Sequence, residues 1–289
     1  MKIPLRPQRT LLRPVSLHGR GYWSSREIRV EFRPAPPHTG LVFVRRDLSP
    51  VERIPAKIDL RVEMPRRTAL SSGRAGVEMV EHVLAALAGM RIDNCEVWVD
   101  APEMPANDGS CRDAVEALIS AGIQVQAARK PVLEPCEPIH IEDGEQSISY
   151  FPQWNGRLSV EYHLDYGEES AVGQQTLVMD IMPVTFRREL APARTFLLES
   201  EAKWLQAQGL GRDVTYQELL VFGSGGPIDN ELRYADECVR HKVLDMVGDL
   251  ALAGCDIRGR IVAHRSGHRL NAELVRAILE SQTLECVAK

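Results

Sequence analysis

The sequence predicts an α+β protein of two similar domains, each an antiparallel sheet covered by helices. Three observations carry that reading. Segments of apolar–polar alternation precede helical periodicity in both halves of the chain. Each half runs strands, helix, glycine, strand, turn, helix in the same order. "HVLAALAG" at 82–89 also echoes "HKVLDMVGDLALAG" at 241–254, which puts a histidine at a comparable helix position in each half. The echo alone does not establish a repeat, because apolar helices resemble one another.

The first domain is expected over 1–126. "SREIRVEFRPA" alternates, "GLVFVRRDL" is a short apolar run, and "AKIDLRVEMPRR" alternates again. "GVEMVEHVLAALAG" turns helical, with Val80, Val83, Leu84 and Leu87 on one stripe and Gly89 as its stop. "NCEVWVD" reads as a strand with Cys95, Val97 and Val99 on one face, and "DGSCRDAVEALISAG" as a helix capped by Ser110 and ended by Gly122. Residues 127–137 carry prolines and no periodicity, and are expected to be the linker. The second domain, 138–289, opens with the strands "PIHIEDG", "QSISYFP", "RLSVEYHLDY" and "QQTLVMDI". An irregular insert follows at about 191–230, with one helix at "FLLESEAKWLQAQ" and a loop at "FGSGGPIDN". The helix "RHKVLDMVGDLALAG", a strand in "RGRIVAHRSG" and a last helix "NAELVRAILESQ" complete the domain.

Composition excludes several function classes. At 289 residues the chain holds one large domain or two ordinary ones. Its 35 basic and 40 acidic residues give a net charge of −5, which argues against a nucleic-acid footprint. No apolar run reaches the roughly 18 residues of a membrane span. The basic start "MKIPLRPQRTLLRP" has no apolar core of a signal peptide. None of the six cysteines forms a C-x-x-C pair. A reduced, cytoplasmic chain is therefore expected, not a disulfide or zinc-ribbon scaffold.

His241, Asp245 and Asp249 recur every fourth residue on the helix after the insert. Side chains four apart share a face, so His241 and Asp245 can reach one ion. Imidazole and carboxylate suit zinc, and a catalytic site commonly adds a third protein ligand. Glu81-His82 offers a histidine beside a carboxylate. Adjacent helical residues point about 100° apart, so one can ligate while the other serves as base. Taken singly, each motif is also what an ordinary surface pair, helix face or turn looks like, including "SGH" at 266–268. Spacing does not join the three segments.

The stretches "VEHVLAALAGMRIDNCEVWVDAPEMPANDGS", "ARTF", "LRYADECVRHKVLDMVGDLALAG" and "AHRSGHRLNAELVRAIL" together resemble the UDP-3-O-acyl-N-acetylglucosamine deacetylases, zinc amidases of lipid A biosynthesis. The likeness runs in order over nearly the whole chain. It implies two α+β domains with their helices sandwiched between the two sheets and the site at their junction. It implies zinc ligands His82, His241 and Asp245, although such a set also accepts Fe2+. By the same resemblance Glu81 is the general base and His268 the protonated acid. Asp249 orients His268, and Thr195 donates to the oxyanion. Lys242 meets substrate near the amide or diphosphate, and Phe196 lines the sugar site. Residues 197–222 match an inserted unit that forms an apolar passage for the acyl chain, though they also read as a small satellite core. The implied partner is a UDP-linked acylated amino sugar, acted on by a monomer.

The chain departs from this pattern in "HGRGYWSS", where Tyr22 and Trp23 replace a Leu-His pair and Ser25 replaces a glycine. Trp23 is expected to pack against sugar or acyl chain; core or rim repacking is the competing reading. Met79 stands where a small polar residue is common, and "DGSCRDAV" lacks a usual Pro-Phe. Three functions stay open: this deacetylase, a paralogous zinc amidase for another N-acetylated sugar nucleotide, and a non-catalytic binding descendant.

Overall fold

The computed structural model describes residues 5–211 and 213–287; Met1–Pro4, at the start of the basic segment, and the side chains of 282–287, that of Cys286 among them, lie outside the description. Its two halves are topological copies. The first sheet orders its strands Val15–Arg20, Glu27–Pro34, Cys95–Val99, Leu41–Arg45, Glu52–Pro55. The second orders them Ile139–Asp143, Gln146–Phe151, Gly259–His264, Leu158–Asp165, Gln174–Asp180. In each, the last strand in sequence inserts at the centre, antiparallel to one neighbour and parallel to the other.

The sheets are therefore mixed and not purely antiparallel. The parallel pair arises because the central strand returns through a helical crossover, as parallel pairing requires. That crossover ends in helix α1 (Glu81–Gly89) in the first half; α2 (Arg112–Ala121) follows the central strand. The short α3 (Pro183–Thr185) and α4 (Glu199–Ala207) precede the second crossover helix, α5 (Glu237–Leu250), and α6 (His268–Val287) closes the chain. Helices α5 and α6 cover the second sheet, α2 packs on the first, and α1 lies against α5. The helices are thus the layer between the sheets. The helices that carry the echo, α1 and α5, hold equivalent places, each leading into the central strand of its sheet.

The two helices at the centre of this layer are covered on nearly every face. All of α1 but Ala88 is buried, as is α5 apart from Arg240 and Lys242. A helix buried all round needs close approach where it crosses another. Gly248 provides it: a Cβ there would stand 2.1 Å from the Glu81 carbonyl oxygen. Gly254, at φ +70, ends the turn after α5 in the left-handed conformation expected of it.

Several local expectations shift. "GVEM" is not helical: Ala75–Glu78 is a strand, and Met79, at φ +59, turns the chain sharply into α1. Residues 58–60 form a 3-10 turn that buries Ile58, interrupting the alternation there. The N-cap position of α2 is Cys111; Ser110, one residue earlier, accepts a hydrogen bond from the Arg112 N–H at 3.2 Å. Ile123–Arg129 is a strand paired with Pro7–Leu11, so part of the expected linker is ordered β structure. Most of its side chains face solvent, which is why no apolar alternation marks it. The insert begins with strand Phe196–Leu198, which runs through α4 to the parallel strand Leu220–Gly223, a β-α-β unit. "FGSGGP" is the turn of a hairpin and not open loop. Among the described residues, no helix is long and apolar enough to cross a membrane.

Candidate active site

The crossing of α1 and α5 brings the metal-ligand candidates together. His82 stands in the first turn of α1; His241 and Asp245 stand one turn apart on α5. Their donor atoms all lie within 4.8 Å of one another, and all three residues are buried. Asp245 Oδ1 is 3.3 Å from His241 Nε2 and 3.6 Å from His82 Nε2. Tetrahedral ligands about 2.0–2.2 Å from one ion stand roughly 3.3–3.6 Å apart, so the set fits Zn2+ or a similar divalent cation.

Their surroundings favour the ligating forms. His241 Nδ1 lies 3.1 Å from the Ala193 carbonyl, which fixes the ring with Nε2 free. Burial, opposed by Asp245, pushes His241 down to about 4 and keeps it neutral. Burial alone would raise Asp245, but His241 and Lys242 hold its carboxyl well below the ordinary range.

The acid–base candidates flank this set. The Glu81 carboxylate is almost fully buried, and burial raises its pKa, with His268 and His82 partly offsetting. His268 is the first residue of α6 and not part of the preceding loop. Its Nδ1 meets Asp249 Oδ2 at 2.9 Å. Burial alone would lower His268, but the charge and hydrogen bond of Asp249 carry it up to about 9. Asp249, fully buried, also accepts from Asn271 Nδ2 at 2.8 Å.

A cavity of about 930 Å³ opens over these groups and continues under the insert. Glu81, His82, His241, Lys242, Asp245 and His268 reach it, and so do Trp23, Thr195 and Phe196. Asp249 stands behind His268, outside the cavity lining. Thr195 is held by its own N–H to the Gly109 carbonyl, 2.8 Å, and by its carbonyl to the Leu220 N–H, 3.0 Å. Arg194 beside it is locked by Nε to Glu237 Oε1 at 2.8 Å, which ties this segment to the first turn of α5. Lys242 lines the cavity, yet its ammonium rests 2.7 Å from Asp245 Oδ2. The Trp23 ring carries the Arg67 guanidinium 4.8 Å from its centroid.

Two contributors escaped the sequence reading. Glu103, nearly fully buried, accepts from the backbone N–H groups of Trp23 (2.8 Å) and Ser24 (3.0 Å) and so shapes the loop that carries them. Thr68, also fully buried, gives its N–H to Glu81 Oε2 at 2.9 Å and its hydroxyl to Asp249 Oδ1 at 2.6 Å. "APEMP" places an acid near the strand end, but nothing in the sequence aims it at residues 23–24. Thr68 has no signal at all.

A buried His-His-Asp set, a buried carboxylate and a carboxylate-paired histidine in one cavity between two copies of an α+β unit define a metal-dependent hydrolase. A sequence model of the family described as UDP-3-O-acyl N-acetylglycosamine deacetylase matches residues 8–280. The chain belongs to this family. It is 40% identical over 278 residues to a UDP-3-O-acyl-N-acetylglucosamine deacetylase of a Shewanella species, covering 95% of this chain and 90% of that one. It is 40% identical over 279 residues to the same-named protein of Shewanella frigidimarina and 39% over 278 to that of Shewanella baltica, with the same coverage.

Proposed function

We propose that the protein removes the N-acetyl group of UDP-3-O-acyl-N-acetylglucosamine, giving UDP-3-O-acyl-glucosamine and acetate, in lipid A biosynthesis. The observation that carries this reading is the common cavity of Glu81, His268 and the His82-His241-Asp245 set. An ion held by those three residues would supply the Lewis-acid charge that amide hydrolysis needs. Glu81 takes a proton from the attacking water; its raised pKa suits a base that must later release that proton. The Thr195 hydroxyl donates to the oxyanion as the carbonyl carbon becomes tetrahedral. His268, protonated below about 9, gives its proton to the departing sugar nitrogen as the C–N bond breaks. Asp249 keeps His268 charged and aimed. Lys242 and Phe196 bind the nucleotide sugar, Trp23 packs on sugar or acyl chain, and the insert takes the acyl chain.

We further read residues 1–126 and 138–289 as the two domains of a monomer. Size-exclusion chromatography with light scattering tests the monomer. Release of acetate and a free amine from the UDP-sugar, by metal-replete protein, tests the function; inertness toward it, with turnover of another N-acetylated sugar nucleotide, would favour a paralogous amidase.

A further inference from the structure

We propose that Thr68 is a positioning residue that couples the base and the acid of the reaction, a role that rests on the deacetylase reading above. Three of its groups are engaged at once. Its N–H donates to Glu81 Oε2 at 2.9 Å. Its carbonyl accepts from the N–H of Val80, the residue before α1, at 3.2 Å. Its hydroxyl donates to Asp249 Oδ1 at 2.6 Å and stands 3.3 Å from His268 Nδ1. Thr68 has no solvent exposure, so water does not replace any of these bonds.

The geometry gives the hydroxyl a definite task. Asp249 uses Oδ2 for His268 and Asn271, and Oδ1 for Thr68. Without the hydroxyl, Oδ1 of a fully buried carboxylate has no other hydrogen-bond donor among the described residues. The carboxylate is then free to rotate, and His268 loses its fixed bearing. The backbone of the same residue sets where α1 begins and where Glu81 points. Thr68 therefore holds the two proton-transfer groups in one register, although it lies outside the cavity lining itself. Its link to α5 and α6 crosses between the two halves of the molecule.

The test uses full-length, metal-loaded protein and compares Thr68→Val, which keeps the branched shape, with Thr68→Ser, which keeps the hydroxyl. Val is expected to lower kcat about 10- to 100-fold, the scale of one hydrogen bond to a charged group, with KM within about twofold. Ser is expected to recover kcat to within about threefold of wild type. Metal content, by mass spectrometry, stays at wild-type level in both. If Val does not fold, Thr68→Ala carries the same expectation. Normal kcat in the hydroxyl-free variant overturns the role, as does Ser being no better than Val, or metal loss that accounts for the defect. Wild-type protein inert in the same assay overturns the deacetylase reading, and this role with it.

Discussion

His268 Nδ1 and Asp249 Oδ2 stand 2.9 Å apart, the Asp249 carboxylate shielded from solvent and the His268 ring exposed only at its cavity edge, to 11%. This pairing sets the first expectation. His268 is raised to about 9, against roughly 6.5 for an unfolded histidine. The folded state holds its proton more tightly, so the stabilisation is complete below about 6.5 and is lost as pH rises through 9. In metal-free protein, NMR titration of the His268 ring is expected to show that elevated midpoint. Asp249→Asn is expected to bring it down, along with the basic limb of kcat/KM. An unchanged midpoint in the Asn variant would separate the two residues.

If Glu81 is the base proposed above, the acid limb is expected to follow its buried carboxyl, which titrates above the ordinary carboxylate range. Glu81→Gln keeps the shape and removes the proposed base. The rate is expected to fall by on the order of 10²-fold or more at full metal content. His268→Ala is expected to do the same. Stopped assays paired with metal analysis distinguish these losses from loss of the ion.

Ala at His82, His241 or Asp245 removes one of three donors. Each substitution is expected to reduce metal occupancy sharply while circular dichroism stays near wild type. Chelation of the wild type should abolish turnover, and Zn2+ should restore it. Full activity in rigorously metal-free protein would remove the metal from the mechanism.

Gly248 ties the site to the fold. A Cβ at this position would overlap the Glu81 carbonyl oxygen, at 2.1 Å, and approach the Ala85 nitrogen to 3.2 Å. Gly248→Ala must push α1 from α5, a strain of about 1–3 kcal/mol or more. Because the same crossing sets His82 against His241, the Tm is expected to drop by several degrees together with metal affinity. Calorimetry and metal titration would show the two losses moving together.

What the sequence made legible follows from geometry that a helix imposes. His241 and Asp245 had to share a face, and both join the ligand set with His82, while Glu81 beside His82 reaches the same cavity. The alternating burial of "CEVWV" is legible because side-chain periodicity is direct physics; α5 is buried on nearly every face, which its polar residues do not announce. The contacts of Thr68 did not, because they use a backbone N–H and a hydroxyl across 13 and 181 positions of sequence. The ordered strand at 123–129 was hidden for a different reason: it faces solvent and buries little. The helix α1 begins later than its periodicity suggests because Met79 takes a left-handed conformation that its residue type rarely adopts.

The proposed packing of Trp23 on sugar or acyl chain gives the last expectation, and Tyr22 beside it shares the cavity wall. The Tyr22 side chain is buried, and its hydroxyl donates to the Glu218 carbonyl, in the insert just before the strand that pairs with Phe196–Leu198. Trp23 lines the cavity beside Arg67, and its buried indole N–H has no hydrogen-bond partner among the described residues. Neither side chain replaces the ligand or proton chemistry of the site; both shape its walls. Tyr22→Phe keeps the ring and frees the insert, so hydrogen exchange across 215–220 is expected to quicken. Trp23→His removes apolar area and is expected to change kcat/KM unequally among substrates of different acyl length. The scale for one or two methylene equivalents in an apolar pocket is about 10- to 200-fold. Metal content and the pH profile should not move. Equal losses at every acyl length would make Trp23 a packing residue, and no loss at any length would take it off the substrate's path.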